Sequence, residues 1–87
     1  PKKVFGEGKT YKVKQVYLPG KYVGMIRWDT LEISIDRRMT IEEKWEALLH
    51  ELLHEISCDE GLEERQVLRL SKRLFGILRA NDLLKID

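Results

Sequence analysis

The sequence predicts an α+β domain in which a small N-terminal antiparallel β-sheet packs on two C-terminal helices. Three observations lead there. Apolar and polar residues alternate with a period near two at Tyr11–Leu18 and again at Leu31–Asp36. Beyond residue 40 the period lengthens to that of a helix, over about 40–57 and about 62–80, with Gly61 between the two stretches. At 87 residues, 43% hydrophobic and 36% charged, the chain has material for one soluble domain spanning 1–87. A core of that size is marginal, and a metal, a partner subunit or self-association would reinforce it.

Each element has its own warrant. Gly6 and Gly8 punctuate a turn before the first strand, Tyr11–Leu18, whose β-branched and aromatic residues suit a pleated surface. Pro19-Gly20 is a turn signal. Tyr22–Asp36 reads as a hairpin with one arm from Met25 or Ile26 through Trp28, a bend near Asp29-Thr30, and a second arm in which Leu31, Ile33 and Ile35 alternate with Glu32, Ser34 and Asp36. Asp-Thr is a poorer two-residue turn than Asp-Gly, so the bend has reason to be longer.

Arg37-Arg38-Met39 links sheet to helix. Thr40 followed by Glu43 is a capping-box pattern, and Glu42 and Glu43 place negative charge where the helix dipole favours it. The helix is expected from about Thr40 to Ser57. On its wheel Trp45, Leu48, Leu49, Leu52, Leu53 and Ile56 share one broad side, with His50 and His54 roughly opposite. Gly61 suits a left-handed residue closing this helix. A second helix, from Leu62 or Glu63 to Ala80, carries Val67, Leu70, Leu74, Ile77 and Leu78 on one side and Arg65, Arg69, Lys72, Arg73 and Arg79 toward the other. So short a connection folds it back beside the first.

The chemistry lies in His50-Glu51-Leu52-Leu53-His54. Residues four apart on a helix stand almost above one another, so both imidazoles share a face with Glu51 one step round. Two neutral imidazoles at that spacing can hold one zinc ion, and the adjacent carboxylate can deprotonate a water held by the metal. The chain has only two histidines and both are in this motif. By average residue usage such a pattern arises by chance roughly once in several hundred chains of this length. A hydrolytic zinc site takes three protein ligands, and the sequence offers Glu64 or Glu63 as the third, with Asp59 and Glu60 in reserve. Glu64 is favoured because its strip, through Val67 and Ser71, carries no large apolar side chain to fill the space above the metal. Glu43, two turns before His50, is too far along the axis to be a ligand, whereas Ala47, one turn before it, leaves room for another element.

Charge narrows the partners. There are 16 basic and 15 acidic residues, so little overall field attracts polyanions. Residues 1–28 hold seven basic and one acidic residue, residues 29–62 three and ten, and residues 63–87 six and four, so a basic front meets an acidic motif segment. The lysines and arginines read first as solvated faces, and nucleic acid is not the expected partner. Cys58 is the only cysteine, which excludes an intrachain disulfide and makes a reducing, cytoplasmic compartment the expectation. A straight helix would carry its thiol past the metal. No apolar run has the length of a membrane span.

The hairpin ending in Leu31-Glu32-Ile33-Ser34-Ile35-Asp36, the helix with His50-Glu51-Leu52-Leu53-His54 and a glutamate at the head of the next helix together resemble the zincin metallopeptidases. Within them the chain looks most like the minimal gluzincins of archaea and related phage proteins, the minigluzincins. The likeness spans about residues 22–80, and its specific part is the five-residue motif. It implies zinc ligation by His50, His54 and Glu64, a general base and acid at Glu51, and a peptide or unfolded protein as substrate, laid as an added strand along Tyr22–Trp28. Larger zincins have a backing helix and a second subdomain for which this chain has no room. It also lacks the third histidine that some relatives use toward the oxyanion, leaving Tyr17, Tyr22 or an arginine for that task. Small members are thought to be held latent by their own C-terminal segment, here Asn81–Asp87. The alternative is a non-catalytic module, zinc-stabilised or metal-free, that contacts nucleic acid or protein through the basic side of residues 65–79 with Arg37, Arg38 and the N-terminal lysines.

Overall fold

A computed structural model of the chain describes residues 3–6, 8–57 and 60–84. Four strands, β1 (Lys3–Gly6), β2 (Lys9–Val16), β3 (Gly24–Arg27) and β4 (Glu32–Asp36), precede two helices, α1 (Ile41–Ser57) and α2 (Glu64–Ala80). The α+β arrangement matches the sequence expectation. One feature of the sheet does not: its order is β1-β2-β4-β3, and β2 runs parallel to β4 while the other pairs are antiparallel. The sheet is mixed because the β3–β4 hairpin turns inward, seating β4 beside β2 and leaving β3 at the edge. Ile33 and Ile35 explain that choice, since a central strand can bury both of them completely and an edge strand cannot.

The hairpin bend occupies residues 28–31, longer than two residues, with Leu31 in the left-handed region (φ 54°) and the Asp29 carboxylate accepting the Thr30 N–H at 3.0 Å. β1 is an additional strand that the glycine punctuation at residues 6 and 8 concealed. It pairs with β2 from Lys3 opposite Lys12 to Gly6 opposite Lys9.

The core lies between the sheet and α1, where Tyr11, Ile33, Ile35, Ala47 and Leu48 are buried together and Val13, Ile26, Trp45 and Leu52 close round them. α1 begins at the expected capping box. The Thr40 hydroxyl accepts the Glu43 N–H at 3.2 Å, and the Glu43 carboxylate accepts the Thr40 N–H at 3.0 Å. α1 packs against β3 and β4 on one side and α2 on another. It therefore has two covered sides, and the broad leucine face read from the wheel is divided between them, with Ile56 left exposed. α2 is likewise rotated from expectation. Val67, Ser71 and Phe75 are its buried residues, while Leu70 and Ile77, assigned to the covered face by periodicity, are exposed. Gly61 has the expected positive φ (73°), but in the connection rather than directly after α1, which ends at Ser57. Cys58 and Asp59 fall outside the described residues, as do residues 85–87 of the proposed latency segment. No described helix is long and apolar enough to cross a membrane.

Where β4 ends, Asp36 is buried and tied to Arg38 by contacts of 3.0 and 2.6 Å, and the Arg38 guanidinium also donates to the Leu18 carbonyl at 2.9 Å. The hydrogen bonds and charge of Arg38 hold the Asp36 carboxyl well below the usual carboxylate range. A depressed folded-state value contributes stability above the unfolded value, near 3.9, and loses it as pH falls toward the folded one. Asp36→Asn is therefore expected to lower the urea midpoint at pH 7 and to flatten its decline below about pH 4. A mutant midpoint as high as the parent's at pH 7 would contradict this linkage.

Candidate metal centre

Successive layers of local structure bring three side chains together. The i, i+4 spacing on α1 stacks the two imidazoles, with ring centroids 4.6 Å apart and planes at 78°. The α1–α2 reversal then lowers the first turn of α2 over them. The Nε2 atoms of His50 and His54 are 3.0 Å apart, and the Glu64 carboxylate spans both, Oε1 lying 2.8 Å from His50 Nε2 and Oε2 2.7 Å from His54 Nε2. Among the described residues these three form the cluster able to hold a metal ion.

Hydrogen bonding alone leaves one side of this triangle unfavourable. If both Nε2 atoms donate to Glu64, the two nitrogens stand 3.0 Å apart with no hydrogen between them. If one donates to the other, the bare nitrogen faces a carboxylate lone pair at under 3 Å. A shared cation satisfies all three acceptors at once. Two imidazole nitrogens and a carboxylate oxygen are a common donor set for hydrolytic zinc, and the separations approach the edge of about 3.3 Å in a tetrahedron with 2.0–2.1 Å bonds. The residues fit the ion.

Glu63, the alternative third ligand, is directed elsewhere. Its N–H donates to the Gln66 side-chain oxygen at 2.7 Å as α2 begins, and its carboxylate pairs with Arg65 at 3.2 Å. Glu60 is exposed and outside the cluster, and Glu43 is occupied in capping α1.

Glu51 differs from its neighbours in being buried, at 8% exposure. Burial pushes its carboxyl above the ordinary value, while the charges of His50 and His54 pull it down. It fits beneath β3 because residue 24 is glycine: a Cβ there would come within 3.3 Å of both Glu51 Cγ and Oε1. Gly24 is thus a site residue that the sequence did not disclose, visible only as a small residue in a strand.

An open cleft of about 790 Å³ runs between β3 and the triad, lined by Tyr22, Gly24, Ile26 and Trp28 on one side and by the motif on the other. A second hollow, of about 720 Å³, shares Val23, His50 and Glu64 with it and continues past Ala47, so the small residue one turn before His50 does leave space. Of the tyrosines named as oxyanion candidates, Tyr22 lines the cleft. Tyr17 is exposed beneath Arg37 and Arg38, whose guanidinium carbons lie 5.4 and 5.5 Å from its ring centre. Comparison of the chain with known protein families, with characterised proteins and with solved structures finds no match.

Proposed function

We propose that this protein is a zinc-dependent peptidase of the zincin type, with His50, His54 and Glu64 holding the metal and Glu51 serving as general base and acid. The observation that carries the proposal is the convergence of two imidazoles and a carboxylate from a second helix on one point beside a buried, uncoordinated glutamate. When bound there, zinc would acidify a water and polarise a substrate carbonyl. Glu51 accepts the proton of the attacking water and returns it to the amine nitrogen as the peptide bond breaks, giving one new carboxyl and one new amine. Its burial favours the first half of that task, since a carboxylate whose charge is poorly solvated is the stronger base toward the attacking water. Tyr22 lines the cleft, which supports it over Tyr17 as the donor to the carbonyl oxygen. β3 is an edge strand, and an extended chain can pair with its outer side while its scissile bond lies over Gly24 and Glu51.

Zinc-loaded protein is expected to nick an unfolded protein substrate, to stop after treatment with a strong chelator, and to resume when zinc is restored. Nicking that continues undiminished in metal-free protein would remove the proposal.

A further inference from the structure

We propose that Trp28, held by Glu55, sets side-chain preference at the His54 end of the cleft and takes a large apolar or aromatic side chain of the bound peptide. The inference rests on the peptidase function proposed above and extends it to substrate selection.

Trp28 combines two properties that rarely coincide in a surface side chain. It is 52% exposed, yet its indole N–H donates to the Glu55 carboxylate. That carboxylate is itself held down, for its side chain is only 8% exposed and it also receives the Tyr11 hydroxyl and, at 3.4 Å, the Lys9 ammonium. Three donors from β2 and the hairpin bend thus meet on one acceptor at the end of α1. An indole anchored through its only polar atom presents its apolar surface at a fixed place, and that place is the wall of the cleft.

Glu55 directly follows His54, so the ring stands at that end of the metal triad. The orientation of a bound peptide follows from the direction of β3. Val23 shares the second hollow with Glu46 and Ala47, while Trp28 reaches Glu55, so β3 and α1 run the same way along the cleft. A peptide paired antiparallel to β3 runs against both, and residues preceding the scissile bond lie toward Trp28. Gly24 marks the position of Glu51, and Trp28 lies four positions further along the chain, about 13 Å at the rise of a strand. The side chain against the indole is therefore the third or fourth before the cleaved bond.

The test uses the whole zinc-loaded protein and two peptides cleaved at the same bond, carrying Phe or Gly at that position. The Phe peptide is expected to have a KM about tenfold lower at similar kcat, the size of a good aromatic contact. Trp28→Ala brings the ratio of the two KM values to about one, and Trp28→Phe keeps part of it. Glu55→Ala lowers the ratio and Glu55→Gln, which still offers an oxygen to the indole, restores it. A ratio in Trp28→Ala equal to the parent's overturns the proposal. A second measurement is independent of turnover. In zinc-loaded protein with Glu51→Gln and Trp45→Phe, Trp28 is the sole indole, and its emission is expected to shift to the blue, saturably, with the Phe peptide and not with the Gly peptide. An unmoved spectrum also overturns the assignment. Failure of the peptidase proposal looks different: the unaltered protein cleaves neither peptide, and the emission measurement still decides the role of Trp28.

Discussion

Glu51→Gln is expected to lower peptide hydrolysis by about 10²–10⁴-fold while leaving the metal content of the protein unchanged. The magnitude is the usual contribution of a positioned general base and acid. The separation of effects follows from geometry: the cluster proposed to hold the metal consists of His50, His54 and Glu64, and Glu51 is not part of it. Gln is the informative replacement because it keeps the shape that fits under Gly24, where even an added Cβ would come within 3.3 Å of the side chain, and removes only the ability to take a proton. An alanine there would open space beneath β3 and confound chemistry with packing. Metal analysis and circular dichroism establish that the variant is loaded and folded, and the cleavage rate then isolates proton transfer. Hydrolysis within a few-fold of the parent would mean that Glu51 is a buried structural carboxylate and that the proposed mechanism is wrong.

The parts of this site that could be read in the sequence are those fixed by short-range geometry. His50, Glu51 and His54 lie within one helical turn, so once Thr40 and Glu43 cap the helix their mutual placement follows from its pitch. The choice between Glu63 and Glu64 was narrower than the sequence could resolve. It turns on how α2 starts, with Gln66 taking the Glu63 N–H and Arg65 its carboxylate, which leaves Glu64 to face the imidazoles. Sheet order was out of reach for a different reason. Alternation assigns each residue a face but does not say which strand lies beside which, so the parallel pairing of β2 with β4 emerges only when Ile33 and Ile35 compete for the centre. The Glu55 anchor joins residues 27 and 46 positions apart in the chain, and no local pattern announces such a contact. The rotation of α2 has a similar origin, because its covered face is set by the one element it packs on, α1, rather than by the richest stripe of its own wheel.

That dependence of α2 on α1 gives the second large effect. The proposed centre draws two donor side chains from α1 and one from α2, so zinc bound there would clamp the second helix to the rest of the molecule. A ligand that binds only the folded state at 100 times its Kd stabilises it by about 2.7 kcal/mol. For a domain of this size that raises the Tm by roughly 10–20 °C. Glu64→Ala removes one of three ligands and is expected to weaken zinc binding on the order of 100-fold, which at the same free zinc leaves about 0.4 kcal/mol and a rise of only a few degrees. In metal-free protein the same substitution should matter little, because Glu64 is 67% exposed and its two contacts are surface contacts. Comparing thermal melts of parent and variant with and without zinc separates the two roles available to this carboxylate. A ligand shows its effect only when zinc is present. A plain tether between helices would instead cost the same stability in both conditions, and equal losses would mean that Glu64 merely hydrogen-bonds two histidines.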